Sequence, residues 1–135
     1  MTISANARVL ATRIKISTLW VVVFLNMIFR DLHQFLATGY LEEMLAMTSN
    51  GAEVSQGILL AAAIVLEIPI MMIFLTQILD VEIGRWANIT TAVLILISIV
   101  VNNLSPDLDD LFFYTFACGA LAAIIWYAWN WSNDS

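Results

Sequence analysis

Long apolar stretches alternate with short polar ones along the 135 residues. Four of the stretches reach the roughly 20 residues that a helix needs to cross a hydrocarbon core. The first runs from about 17 to 38, and the second, GILLAAAIVLEIPIMMIFLTQIL, from 57 to 79. The third, RWANITTAVLILISIVVNNL, covers 85 to 104, and the fourth covers 108 to 131. The pattern predicts an all-α integral membrane four-helix bundle, with residues 1–135 forming a single transmembrane domain. Between the first two stretches, YLEEMLAM predicts a brief interfacial helix ahead of the turn-forming TSNG. The leading MTISANARVLATRIK is polar and modestly basic, and no small-residue cleavage site follows the first apolar run. The first span therefore reads as a retained helix and not as a removed signal peptide.

Polar residues inside the spans carry the rest of the information. Span one contains NMIFRDLHQF, which places charge before the helix is long enough to cross. If the helix continues to 38, then at 100° per residue Leu25, Ile28, Phe29, Leu32, Phe35 and Leu36 form one apolar stripe. Asn26, Arg30, His33 and Gln34 fall on the opposite side, with Asp31 at its edge. A helix ending at Phe29 has no reason to keep that segregation, so the polar side is expected to face a bundle interior or cavity. In span two, Glu67 lies ~15 Å from the far end of its helix, and Arg30 lies ~12 Å from the matching end of span one. An unpaired charge at that depth costs several kcal/mol, so Arg30 is expected to pair with Glu67, Asp31 or both. Pro69, two residues after Glu67, removes the hydrogen bond to the Val65 carbonyl. It either bends span two around its neighbours or leaves a free carbonyl near an acid. In span three, Asn88, Thr91, Ile95, Ser98 and Asn102 share a face. That face suits close helix packing or, alternatively, lining a cavity with Glu67 and His33. Gly119 and Ala123 make a small-xxx-small pair in span four, a pattern of tight helix approach.

Composition narrows the class. The chain is 61% hydrophobic and 12% charged, where a soluble domain carries about 25% charged residues. The net charge of −6 speaks against nucleic-acid binding. The single cysteine, Cys118, excludes an internal disulfide and a Cys-rich metal site. Arg8, Arg13 and Lys15 precede span one, and Arg85 follows span two, whereas the other two loops carry only Glu42, Glu43, Glu53, Asp107, Asp109 and Asp110. Basic loops stay inside, so both termini are expected to be cytoplasmic. Trp20, Trp86, Trp126, Trp129 and Trp131 all fall at the same ends of their spans, where indoles favour the interface. The opposite face presents six carboxylates, read either as a solubility device for water or high salt or as an anionic vestibule for cations.

Asp31, His33 and Glu67 are the groups able to act as acid or base within the membrane, which fits proton-coupled function or acid–base chemistry. A metal site on Asp31, His33 and Glu67 is not expected, because Asp-x-His on a helix separates its ligands by about 200°. Phosphate loops, GxSxG, HExxH and CxxC are all absent, and no cofactor is expected. STLWVVVFLNMIFRDLHQF, ILLAAAIVLEIPIMMIFL and RWANI, with the aromatic ending WYAWNW, resemble a bacterial and archaeal family of small four-helix membrane proteins. That family is known only as a domain of unknown function. The resemblance makes Asn26, Asp31, Glu67, Pro69, Arg85, Trp86 and Asn88 signature positions, and it implies a prokaryotic inner membrane and no activity. Arg30 departs from it, since a small residue is more usual before the aspartate. The leading expectation is non-enzymatic: an intramembrane site on Asp31, Glu67, His33, Arg30, Asn26 and Asn88 that binds or conducts protons, cations or a small ligand. Membrane lipids, a homo-oligomer and cations at the acidic face are the expected partners. The alternatives are a small membrane enzyme acting on a lipid-like substrate and an accessory subunit of a membrane complex.

Overall fold

The computed structural model describes residues 3–49, 51–104 and 106–132. Among them, five helices follow in order: α1 (Ile3–Gln34), α2 (Tyr40–Leu45), α3 (Gln56–Ile78), α4 (Val81–Asn102) and α5 (Leu108–Trp129). All but α2 are long and apolar enough to cross a membrane. A two-residue β-ribbon, β1 (Thr48–Ser49) with β2 (Ala52–Glu53), lies between α2 and α3. The fold class is all-α, as the apolar pattern predicts.

The four long helices run alternately up and down. α1 lies between α3 and α5, and α5 lies between α1 and α4. α3 and α4 are joined by only Leu79 and Asp80, yet they meet chiefly near that link, where Thr76 reaches Asn88 and Met72 reaches Thr91. We call this the tryptophan end and the opposite one the carboxylate end.

α1 begins well before the apolar run, because residues 3–16 contain no glycine or proline and are rich in good helix formers. Its 32 residues make a rod of ~48 Å, longer than a bilayer core. At its other end α1 passes Phe29 and stops at Gln34, four residues short of the expected 38. The chain then unwinds through three-residue turns, Phe35 N–H to Leu32, Leu36 N–H to His33 and Ala37 N–H to Gln34. It reverses at Gly39, whose φ of +83° suits a residue without Cβ.

Buried residues occupy only one half of the bundle. They reach Val23 on α1, begin at Pro69 on α3, reach Ile95 on α4 and begin at Ala117 on α5. Everything from those positions to the tryptophan end encloses a dry core around Trp20, Leu121, Ile124 and Trp131. In the carboxylate half the helices separate. Residues 56–65 of α3 are all exposed, so that half of α3 contributes no buried residue to the bundle among the described residues.

The interfacial placement expected for all five tryptophans needs correction at two of them. Trp86, Trp126 and Trp129 are more than half exposed, whereas Trp20 and Trp131 are fully buried. Trp20 donates its indole N–H to Asn88 Oδ1 at 2.6 Å, and that partner lets a polar ring tip sit in the core.

Candidate functional site

In the carboxylate half, a cavity of about 150 Å³ opens above the dry core. Asn26, Met27, Arg30 and Asp31 of α1 line it, together with Ser98, Ile99 and Asn102 of α4, Asn103, and Phe113, Tyr114 and Ala117 of α5. α3 supplies no wall.

Helical spacing brings Asn26, Arg30 and Gln34 to one face of α1, turned towards α5. Asn26 donates to the Phe113 carbonyl at 2.9 Å. The Arg30 guanidinium meets Asp110, Nε to Oδ1 at 2.9 Å and Nη2 to Oδ2 at 3.4 Å. Its Nη1 donates to Asp31 Oδ1 at 3.4 Å, and its plane lies 5.3 Å from the Tyr114 ring. Gln34 Nε2 adds a further donor to Asp110 Oδ1 at 3.1 Å. From α5, the Tyr114 hydroxyl donates to Asn103 Oδ1. Arg30 is therefore a bridge between its own helix and the first turn of α5, in the fork geometry that makes Arg–carboxylate pairs strong.

Each lining amide spends at least one donor inside the protein. Asn26 gives Nδ2 to Phe113, Asn102 gives Nδ2 to the carbonyl and hydroxyl of Ser98, and Asn103 gives Nδ2 to the Ile99 carbonyl. The side-chain oxygens of Asn26 and Asn102 and the second carboxylate oxygen of Asp31 are left as acceptors. Formally, one guanidinium faces two carboxylates. On the wall itself Arg30 and Asp31 balance, and Asp110, beside the cavity, adds a second carboxylate to Arg30.

The expected site residues divide into three groups. Asn26, Arg30 and Asp31 line the cavity together. His33 stands outside it, with Nε2 3.3 Å from Asp109 and its ring 5.7 Å from that of Phe113. Glu67 and Asn88 lie elsewhere. Glu67 is exposed on α3 and makes no ion pair or hydrogen bond among the described residues, so the expected Arg30–Glu67 pair is corrected to Arg30–Asp110 with Asp31. Matched depth does not imply a matched face: Glu67 is left exposed on α3. Asn88 is fully buried at the tryptophan end, donating to the Gly84 carbonyl at 2.7 Å and accepting from Trp20 and Thr76. The polar stripe of span three therefore serves two purposes along its length. It packs at Asn88 and Ile95, and it lines the cavity at Ser98 and Asn102, without Glu67 or His33.

Tyr114 and Asn103 on the cavity wall, and Asp110 beside it on Arg30, are the residues that sequence reasoning missed. Asp110 reads as one more loop carboxylate. The available signal is that Asp110 and Tyr114 are one turn apart at the start of span four, on a single face. Among the carboxylates at this end, Asp110 is engaged by Arg30 and Asp109 by His33. Among the described residues, no group of three or more His, Cys, Asp or Glu side chains is placed to hold a metal ion.

No curated protein and no solved structure matches the chain. Residues 10–135 match a family described as a family of unknown function, DUF6326. With nearly the whole chain matched and four helices able to span a membrane, the protein belongs to DUF6326 and has the build of a small multi-pass membrane protein.

Proposed function

We propose that the protein binds a small organic cation in the cavity between α1, α4 and α5, with Asp31 as its counter-ion. The observation that carries this reading is the pairing of Arg30: Asp110 holds it in a fork at 2.9 and 3.4 Å, while Asp31 reaches it through one oxygen at 3.4 Å and keeps the other for a ligand. The rings of Phe113 and Tyr114 on the same wall suit a cation as well. A cavity of about 150 Å³ takes a molecule the size of benzene, so a ligand of about six heavy atoms fits.

Binding is favoured over conduction by the dry core. Below Ala117 the interior is filled by Val23, Ile95, Leu121 and Ile124, and the buried polar groups beyond them, Ser17, Thr76 and Asn88, are bonded within the protein. The membrane is taken to be a prokaryotic cytoplasmic membrane with both termini inside, which the gathering of Arg13, Lys15 and Arg85 near aromatic rings at the tryptophan end supports.

The test is thermal unfolding of the purified chain in detergent against methylammonium, with tetrabutylammonium as an oversized control. A ligand at 100 times its Kd stabilises by about 2.7 kcal/mol. The expected result is a methylammonium-dependent rise in the midpoint that Asp31→Asn abolishes and tetrabutylammonium does not reproduce. Equal responses in wild type and Asp31→Asn, or none in either, overturn the reading.

A further inference from the structure

A second feature lies at the tryptophan end and has no part in the cavity. Arg85, on the second turn of α4, sits with its guanidinium 5.5 Å from the Trp86 ring and 5.2 Å from the Trp129 ring. The two indoles meet edge to face, 6.3 Å apart. Arg85 Nε is buried without a partner, and neither terminal nitrogen makes a hydrogen bond or ion pair among the described residues. Arg13, another arginine at this end, is engaged on backbone carbonyls of Thr76, Gln77 and Leu79. A guanidinium screened by two rings is approached along its free edge, where paired N–H groups match the oxygens of a phosphate.

We infer that Arg85 binds the phosphate of an anionic membrane lipid at the tryptophan end. The inference rests on the helices spanning a membrane and is independent of the cavity. Both flanking indoles are more than half exposed, as rings at the headgroup level are. Trp86 also walls a shallow, mostly apolar groove with Ile83, Ala87, Thr90 and Thr91 on the outer face of α4, a bed for the acyl chain beneath the headgroup, with Glu82 on its rim. That continuity of a free guanidinium with a mostly apolar groove selects a lipid over a soluble phosphate compound. Two carboxylates work against it. Glu82, three residues before Arg85, is exposed and makes no ion pair with it, and Asp80 precedes α4. A lipid phosphate therefore gains from Arg85 and is repelled by Glu82.

The experiment is native mass spectrometry of the full chain released from detergent, titrated with phosphatidylglycerol, phosphatidylcholine or inorganic phosphate. Wild type is expected to retain phosphatidylglycerol over phosphatidylcholine, and Arg85→Gln to lose about tenfold in that retention, the worth of a charge-assisted hydrogen bond. Asp31→Asn should behave as wild type, which separates failure here from failure at the cavity. Equal retention of the two lipids, or no loss in Arg85→Gln, overturns the inference. So does inorganic phosphate displacing the lipid, which would assign Arg85 to a soluble phosphate compound. Should Arg85→Gln not fold, Glu82→Gln decides: a rise of roughly twofold to fivefold in phosphatidylglycerol retention supports the site, and no change removes it.

Discussion

At the scale of single residues, the most constrained polar group is the Asn88 side chain. It accepts from Trp20 and Thr76 and donates to Gly84, and Asn88 and Thr76 have no exposed surface. Removing one partner of a buried set strands the others, at about 1–3 kcal/mol for each group left unsatisfied. Asn88→Ala is accordingly expected to destabilise by about 2 kcal/mol or more in a denaturant titration, while Thr76→Val, which strands less, costs less. Gly84 is constrained by shape. A Cβ there would lie 3.1 Å from Trp131 Cζ3, so the ring or the helix must give. Gly84→Ala should lower stability by about 1–3 kcal/mol, the usual range for overpacking, and leave the helices formed. Circular dichroism with unfolding curves checks both halves of that expectation.

At the scale of elements, α3 is held at one end only. Its final carbonyls, which no following turn can satisfy, take the guanidinium of Arg13 on Thr76, Gln77 and Leu79 at 3.1, 2.5 and 2.7 Å. Ser17 adds a bond to the Ile73 carbonyl and receives one from Gln77. This is why α1 must extend beyond the apolar run: its polar first half clasps the end of α3. Arg13→Gln keeps a donor and loses the fork, and a loss of about 1–2 kcal/mol is expected in the same unfolding assay, given that the group is only partly buried. Glu67 is the contrasting case. It is exposed on the unclasped stretch of α3, so Glu67→Gln should leave the methylammonium response unchanged and shift the unfolding midpoint by no more than about 0.5 kcal/mol. A lost response in Glu67→Gln would put that carboxyl in the site after all.

At the scale of the whole molecule, the bundle is closed at the tryptophan end and open at the carboxylate end. α3 parts from its neighbours before Pro69, and the polar cavity occupies the space among the remaining three helices. Cysteine scanning of α3 in a Cys118→Ser background, read with a lipid-soluble thiol reagent, should make this visible. Positions 57–65 are expected to react uniformly, whereas positions 69–76 should react with helical periodicity, Pro69, Met72 and Thr76 being protected. Periodicity over 57–65 would mean that this half of α3 is packed.

Much of the architecture was legible in the chain itself. Apolar runs of bilayer length determine the number and type of the spans, because a backbone in hydrocarbon must bond to itself. The segregation of Asn26, Arg30 and Gln34 from Leu25, Phe29 and Leu32 determined that the charged part of α1 turns inward, since helical periodicity is a local property. Partner choice was decided by the tertiary structure. Arg30 met Asp110 and not Glu67, and Trp20 left the interface for Asn88. Depth along a helix is read by counting residues. Which face of α3 meets which face of α1 depends on the packing of all four helices at once, and so does the place where the core stops and a cavity begins.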